Sequence, residues 1–354
     1  MIDSAEKLVH WKTRAAAQAQ GRVVLDLEAD SLHRYKEKIC LIQYADEEGA
    51  CIIDPLAIED MRLFSDWLAE TDVWMHGADY DMSLMLHSFG HLPHFILDTQ
   101  TAARFLGFRQ FGLAALVEHF YGIRLSKSNQ KADWGKRPLS ESMQAYAQSD
   151  VVHMLGMADT LSEKLRDLGR YDWFLETCSH NMERACERFE AGVQDPWRIK
   201  GSGRLNRRGL AALQALWSWR DGEAAAWDRP SFMVCSNDNL LQWSMTLQDF
   251  GTVQPPPRFH RHRTLRFLEA IEKFQSLDEE LYPRRAAHQR PAFDENFEAR
   301  LDAWLSRRNA AAEQLDIDPS FLASRAVMEA VARNQEEGIA LLLGWQKSVL
   351  GISD

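Results

Sequence analysis

The sequence has no apolar run that approaches the length needed to cross a lipid bilayer. Its N-terminal stretch, MIDSAEKLVHWKTRAAAQAQG, follows an amphipathic polar pattern in which Ser4 is a candidate helix N-cap. The same stretch lacks the apolar core of a signal peptide. We therefore expect a cytoplasmic protein that has no membrane partner.

Paired or clustered cysteines are also missing. The five cysteines are odd in number and form no Cys-x-x-Cys pair: Cys40, Cys51, Cys178, Cys186 and Cys235. This argues against both a disulfide framework and a zinc site, because each would show regular cysteine spacing. We expect the cysteines to behave as buried apolar residues or free thiols.

A net positive charge, which is common in nucleic-acid-binding proteins, is absent. The chain has 41 Lys and Arg residues against 52 Asp and Glu residues, which gives a net charge of −11. Residues 195–295 are nevertheless net +2, whereas residues 1–194 are net −10. The acidity argues against tight nonspecific binding to nucleic acid. It does not exclude a phosphate substrate, because bound metal ions reverse the charge of an acidic site.

Acidic side chains are concentrated in three short motifs. Asp26 and Glu28 follow the apolar run VVL, which predicts a buried strand on which residues two apart share one face. Asp81 lies in HGADYDMSLM. Tyr146 and Asp150 are four positions apart in a helical pattern, so they lie on one side of that helix.

Carboxylates gathered closely repel one another unless cations lie between them. Oxygen ligands without clustered His or Cys favour Mg²⁺ or Mn²⁺ over zinc. Two such ions about 3.5 to 4 Å apart can hold the attacking and leaving oxygens of an in-line displacement at phosphorus. The acidic motifs therefore predict a two-metal site for phosphodiester hydrolysis.

At these motifs the chain resembles the Tyr-x-x-x-Asp subgroup of the DEDD exonuclease superfamily, and within it the ribonuclease D family. The resemblance covers roughly residues 20–165 and includes the stretches KICLIQYA, ILDTQTAARFLG and DWGKRPLSESMQAYAQSDV. It implies a ribonuclease H-like α/β fold, with a mixed five-stranded sheet and flanking helices. It also implies two bound divalent cations, Mg²⁺ or Mn²⁺.

The resemblance assigns roles residue by residue. Tyr146 would hold the attacking water or help to deprotonate it. In the second motif the family places the metal ligand directly after an aromatic residue, which favours Asp81 over Asp79; we expect Asp79 to be a helix N-cap or first-turn acid. The four metal ligands would be Asp26, Glu28, Asp81 and Asp150.

Candidate substrate contacts lie between and beside the motifs. Ribonuclease D commonly has Asp-Thr-Glu-Phe in the first motif, whereas this chain has Leu27 and Ala29 around Glu28. Leu27 is a candidate contact, but Ala29 cannot stack on a terminal base. His76 is another candidate, and a structural role for it is equally open. The loop before the third motif is predicted to guide the strand through Lys127, Lys131, Lys136 and Arg137, and Trp134 in the same loop is either a core residue or a substrate contact.

The first half of the chain alternates strand and helix patterns. Strands are predicted near 22–28, 38–45 and 50–54, and the turn sequence DEEG indicates a hairpin between the last two. A helix near 58–70, the strand VWMHG, a helix near 80–89, the strand FILD and helices to about residue 168 follow.

After about residue 170 only helical patterns remain, and DPWRIKGSGRL indicates a linker. Two helical segments repeat at an offset that aligns Pro230 with Pro319 and Phe232 with Phe321. Both resemble the HRDC domain that follows the nuclease domain in ribonuclease D. We predict an exonuclease domain over residues 1–194 and all-α HRDC-like domains over residues 205–287 and 292–354.

The resemblance implies a monomeric 3′-5′ exoribonuclease that trims RNA 3′ ends, with tRNA precursors as the expected substrate class. Two alternatives remain open. A 3′-5′ exonuclease that acts on single-stranded DNA would use the same chemistry, since only the 2′-hydroxyl separates the substrates. A non-catalytic nucleic-acid-binding adaptor would use the helical repeats alone, although the intact set of acids argues against it. The region from about Leu205 onward is expected to be separable and to bind substrate.

Overall fold

The computed structural model describes residues 1–17, 23–126, 128–284 and 294–352. The chain packs as two compact units. Unit 1 comprises Met1–Ala29, Ile39–Glu190 and Ala292–Asp354, and unit 2 comprises Asp30–Lys38 and Ala191–Pro291. Within the described ranges, no helix combines the length and the apolar character needed to span a bilayer.

A five-stranded sheet forms the centre of unit 1. Its strands are β1 (Val23–Ala29), β2 (Ile39–Asp46), β3 (Gly49–Ile53), β4 (Asp72–Met75) and β5 (Phe95–Asp98), in the order β3-β2-β1-β4-β5. Strands β1, β2 and β3 pair antiparallel, whereas β1, β4 and β5 pair parallel. The predicted ribonuclease H-like fold, with its hairpin and mixed sheet, is confirmed.

Helices cover both faces of this sheet. The helix predicted from residue 58 begins only at Arg62, after a turn in which the Asp60 carboxylate accepts the Arg62 backbone N–H at 2.9 Å. The helices of this part are α1 (Ala5–Ala17), α2 (Arg62–Ala69), α3 (Asp79–Phe89), α4 (Thr99–Phe105), α5 (Leu113–Tyr121), α6 (Glu141–Val152), α7 (Met154–Asp167) and α8 (Tyr171–Ala191).

Side chains point alternately to the two faces of the sheet along β1, and this decides which of them share a face with Asp26 and Glu28. Leu25 and Leu27 pack into the apolar core that includes side chains of α1, α2 and α3. Val24 faces the opposite way, into the core formed with α4, α7 and α8. Because side chains two apart on a strand share a face, Asp26 and Glu28 lie on the Val24 side of the sheet.

Unit 2 has an apolar core of its own. Its helices are α9 (Arg207–Trp227), α10 (Ser231–Val234), α11 (Asn237–Phe250) and α12 (Arg261–Gln275). Trp197 is only 5% exposed and belongs to this core, so the stretch expected to be a linker is packed structure. Residues 30–38 also belong to unit 2: the Tyr35 hydroxyl donates to Asp221 at 2.8 Å.

The second helical segment shares the core of unit 1. Trp345 packs against Phe105 of α4, with ring centroids 4.9 Å apart, and donates its indole N–H to Thr177 of α8 at 3.0 Å. Glu176 of α8 accepts the backbone N–H groups of Gly344 and Trp345. The helices of this segment are α13 (Phe297–Gln314), α14 (Pro319–Leu322), α15 (Arg325–Arg333), α16 (Gln335–Ala340) and α17 (Gly344–Val349).

The two helical segments have matching local structure, as the aligned prolines suggested. Asp228 and Asp316, which follow the long helices α9 and α13, both have left-handed backbone conformations, with φ of 48° and 50°. A short helix follows each of them, and then Ser236 and Ser324 cap the next helix. The division into three domains, 1–194, 205–287 and 292–354, stays a prediction. In the structure the chain packs as two compact units.

Candidate metal centre

Strand β1 supplies the first two acids of the site. Asp26 and Glu28 are partly buried, because the sheet face that carries them is covered by α6. The β1–β2 register becomes irregular between Glu28 and Ala29. Such irregularities are common beside active sites, where they change the direction of a side chain.

Helix α6 supplies the third motif. Ser140 caps this helix by accepting the Met143 backbone N–H at 3.2 Å, which fixes where the helix begins. Ala147 and Asp150 are both buried, Asp150 being 8% exposed. One carboxylate oxygen each of Asp26, Glu28 and Asp150 lies within 4.8 Å of the others. The first and third predicted motifs are therefore brought together.

Asp81 lies in the first turn of α3 and is only 7% exposed. It is outside the group of three acids that share the 4.8 Å spacing. Burial is the main cause of the raised pKa values of both Glu28 and Asp81; the charge of Asp81 adds to the shift of Glu28, and the charge of Asp26 adds to that of Asp81, so Asp81 interacts with the other acids. Asp79 is an exposed first-turn acid of α3, as expected.

The site is strongly anionic when all its acids are ionised. Burial, reinforced by the neighbouring acids, raises the pKa of Asp26 to about 7 and that of Glu28 to about 9. Burial raises the pKa of Asp150 to about 6, although a hydrogen bond from Tyr146 opposes this shift. Across the described residues, none of the four acids forms an ion pair with Lys or Arg. Divalent cations suit this all-oxygen donor set.

Tyr146 lies one helical turn before Asp150 and donates its hydroxyl hydrogen bond to that carboxylate. Burial, followed by the charges of Asp150 and Glu28, raises the pKa of Tyr146 above its ordinary value. The phenol therefore stays protonated at neutral pH. The Tyr146 ring lies beside the ring of Trp134, with centroids 6.0 Å apart.

Asp98, which the sequence reasoning did not single out, ties the second motif to the sheet. Its carboxylate accepts the backbone N–H groups of Gly77 at 2.9 Å and Gln100 at 2.8 Å. It thereby joins the loop that enters α3 to the beginning of α4, and so fixes the first turn that carries Asp81. The available signal was Asp98 at the end of the short strand FILD, directly before a helical pattern, which is a typical N-cap position.

His76 is held by its neighbours at the end of β4. The Thr99 hydroxyl donates to the Met75 carbonyl oxygen at 3.0 Å, so it accepts from His76 Nδ1 at 2.9 Å. Burial lowers the pKa of His76, although the charge of Asp98 opposes this. His76 is therefore a neutral, oriented ring, and its contact with substrate stays a prediction.

Three predicted substrate contacts have side chains that already make other contacts within the protein, and their contact with substrate stays a prediction. Leu27 packs in the core on the face opposite Asp26. Trp134 is buried with Cys40, Ile52 and Leu139, so neither face of its ring is open for stacking.

Arg137 is the third of these. Its guanidinium donates to both carboxylate oxygens of Asp54, each at 2.6 Å, and to the carbonyl oxygens of Cys40, Trp134 and Lys136. These bonds use its donors to brace the loop before α6. Lys131 is exposed, and its role stays a prediction; Lys127 lies outside the described residues.

The chain is similar in sequence and fold to known 3′-5′ exonucleases. A family described as 3′-5′ exonuclease matches residues 1–166. The ribonuclease D of Escherichia coli strain K12 is 32% identical over 282 residues, which cover 76% of this chain and 73% of that protein. The ribonuclease D of Gluconacetobacter diazotrophicus is 29% identical over 340 residues, which cover 93% of this chain and 85% of that protein.

Among solved structures, the chain is similar to the crystal structure of Escherichia coli RNase D, described as an exoribonuclease involved in structured RNA processing. The TM-score is 0.75 at 27% identity, and the match covers 94% of this chain and 89% of that one. A crystal structure of a protein from Bifidobacterium adolescentis, at 21% identity and a TM-score of 0.80, shares the fold.

Proposed function

The chain belongs to the ribonuclease D family, and on that premise we propose that it is a 3′-5′ exoribonuclease that hydrolyses RNA with divalent metal ions. The observation that carries the proposal is the convergence of Asp26, Glu28 and Asp150 on one point without a cationic side chain. Buried acids that serve only the fold are normally paired. Unpaired acids with raised pKa values indicate a functional site.

Asp26, Glu28, Asp81 and Asp150 would hold two Mg²⁺ or Mn²⁺ ions. When bound, the ions supply a water nucleophile and stabilise the charge that develops on the phosphate. The side chains contribute by fixing the ions on a rigid strand and two helices. Displacement of the 3′ oxygen at phosphorus by water releases a nucleotide that keeps the phosphate on its 5′ oxygen.

Tyr146 would hold the attacking water or help to deprotonate it. In the metal-free site its raised pKa keeps the phenol protonated, so it can donate or accept a hydrogen bond there. Its hydrogen bond to Asp150 holds the hydroxyl beside the acids.

Unit 2 would contribute to RNA binding through residues 195–295, which have a net charge of +2. Within its cluster RFHRHR, Arg263 is paired with the buried Glu223 and is unsuited to bind phosphate. Arg258 and Arg261 are exposed and remain candidates for phosphate contact. We propose RNA 3′ ends, with tRNA precursors as the natural class, and a monomeric enzyme.

An end-labelled substrate assay tests the proposal. The purified full-length protein is incubated with matched single strands of RNA and DNA and with a tRNA that carries extra 3′ nucleotides, in EDTA, Mg²⁺ or Mn²⁺. We expect stepwise shortening of RNA from its 3′ end only with metal. Faster cleavage of DNA than of RNA would favour the DNA exonuclease, and binding without cleavage would favour the adaptor.

Two variants of the same helix make the assay specific to the site. Asp81→Asn removes a proposed ligand in the first turn of α3, and we expect hydrolysis to be lost. Asp79→Asn makes the same chemical change two positions away on an exposed side chain, and we expect wild-type hydrolysis. Equal activity of the two variants would contradict the assignment of Asp81.

A further inference from the structure

Gln43 is a polar side chain in an otherwise apolar position. It lies in the middle of β2, whose residues are all buried, and it is 0% exposed. Neither its amide oxygen nor its amide nitrogen has a hydrogen-bond partner among the described residues. Burying an amide without a partner costs about 1 to 3 kcal/mol, so a purely structural residue at this position would be apolar.

The strand register identifies the neighbours of Gln43. It lies directly opposite Asp26 on β1 and Ile52 on β3. Its same-face neighbours on β2 are Leu41 and Ala45, both buried and apolar. Side chains opposite each other on antiparallel strands have Cβ atoms about 4.5 to 5.5 Å apart. The nearest polar group that the pairing gives Gln43 is therefore the Asp26 carboxylate.

The residue types on this face suit a supporting role beside a metal ligand. A carboxylate that binds a cation through one oxygen can accept a hydrogen bond at the other, and such a bond fixes its orientation. A glutamine amide can donate this bond without adding charge to a crowded acidic site. A glutamate would add a further negative charge, and a leucine would offer no donor.

We propose that Gln43 is a positioning residue of the metal centre: its side-chain amide, which has no partner among the described residues of the metal-free structure, would donate a hydrogen bond to Asp26 when metal is bound and hold that carboxylate in its metal-binding orientation. The inference rests on the proposed function, because it assumes that Asp26 binds a metal ion. Gln43 itself contacts neither metal nor RNA in this scheme.

A positioning role and a structural role make opposite predictions for Gln43→Leu. If the amide serves the metal centre, replacing it with an apolar side chain removes an unpaired buried group, so the metal-free protein keeps its stability or gains some. The same change should weaken Mn²⁺ binding about 10-fold or more, as is typical when a partner of a metal ligand is lost. If the amide serves the fold, stability should fall instead.

The experiment uses full-length protein, Mn²⁺ titrated by isothermal calorimetry, and thermal unfolding in EDTA. Gln248→Leu is the matched control, because the Gln248 side chain is hydrogen-bonded to Asn206 and Asp249 in unit 2. We expect the control to lose stability and to bind Mn²⁺ as the wild type does. For Gln43→Leu we also expect a lower kcat on a short RNA with an unchanged KM.

Asp26→Asn, titrated in parallel, separates this inference from the proposed function. If Asp26→Asn binds Mn²⁺ like the wild type, the metal centre itself is wrong. If Asp26→Asn loses Mn²⁺ and Gln43→Leu keeps wild-type affinity, only the role of Gln43 is overturned. Gln43→Met, which preserves the unbranched shape, repeats the measurement should the leucine variant misfold. Misfolding of both variants would identify Gln43 as a core residue and would also overturn the inference.

Discussion

The two units of this protein treat buried carboxylates in opposite ways. In unit 2, Glu223 of α9 is 4% exposed and is paired with Arg263 at 3.1 Å and with Arg266. In unit 1, Asp81 and Asp150 are almost as deeply buried, yet neither forms an ion pair with Lys or Arg among the described residues, and the side chains that shift their pKa values are other acids and a tyrosine. The same chemical group is neutralised by arginine in one unit and left without a cation in the other.

The pKa values follow this difference. Burial alone would raise the pKa of Glu223, but the hydrogen bonds and charges of Arg266 and Arg263 outweigh it, so its pKa lies below the ordinary value. Burial and neighbouring acids together raise the pKa of Glu28 to about 9. A buried acid that stabilises the fold is thus recognisable by its cationic partner, and one that binds metal by the lack of it.

The largest expected effect is on hydrolysis by Asp26→Asn. We expect a loss of at least about 1,000-fold in kcat, which corresponds to roughly 4 kcal/mol of transition-state stabilisation. The metal-free variant should be as stable as the wild type or more stable, because one of the crowded acids has gone. Single-turnover hydrolysis of an end-labelled RNA and thermal unfolding in EDTA measure the two effects. Wild-type hydrolysis in the variant would contradict the metal centre.

A smaller loss is expected from Tyr146→Phe, which removes only a hydroxyl. We expect kcat to fall by about 100-fold, at the lower end of the range for a group that assists proton transfer or orients a nucleophile. KM for RNA should change little, because the hydroxyl does not contact RNA in the proposed mechanism, and the loss in kcat should exceed any loss of Mn²⁺ affinity caused by removing the hydrogen bond to Asp150. Weaker Mn²⁺ binding with an unchanged kcat would show that Tyr146 supports the metal instead.

Replacing a buried glutamate with glutamine should destabilise unit 2 but not unit 1. Glu223→Gln breaks a buried ion pair, and we expect a loss of about 2 kcal/mol, since Arg266 is half exposed and can be solvated. Glu28→Gln replaces an acid whose raised pKa already keeps it protonated at neutral pH, so the metal-free variant should not lose stability. Urea unfolding in EDTA measures both, and hydrolysis of a short RNA should persist only in Glu223→Gln. Losses of equal size would mean that Glu28 is structurally paired.

The sequence predicts the site better than its surroundings. Asp26, Glu28, Tyr146 and Asp150 follow from local periodicity, because a strand period of two and a helical spacing of four determine which side chains share a face. The environment of Trp134 does not follow, because burial depends on residues such as Cys40 that are distant in sequence. The local sequence around a tryptophan in a loop near the site is the same whether its ring is buried in the apolar core or stacks on a base of the substrate.

The separability of the helical region could not be predicted for the same reason. The partners of Trp345 are Phe105 and Thr177, which lie more than 150 positions earlier in the chain. The second helical segment therefore completes the core of the catalytic unit, and removing everything after about Leu205 would expose that core. Only residues of unit 2 remain candidates for a region that binds substrate without supporting the exonuclease fold.

The two units should also differ in how their buried acids respond to pH. Asp150, Asp26 and Glu28 have pKa values raised to about 6, 7 and 9 in the folded protein. The metal-free fold therefore binds more protons than the unfolded chain, and its stability falls as pH rises from about 5 to 9, by up to about 1.4 kcal/mol per pH unit for each proton released. Glu223, whose pKa is lowered, loses its contribution only as pH falls below its ordinary value. Urea unfolding in EDTA from pH 5 to 9 should show the decline, and Mg²⁺ should flatten it because the metal replaces the protons. A metal-free stability that rises over this range would mean that the acids of unit 1 are paired after all, as Glu223 is.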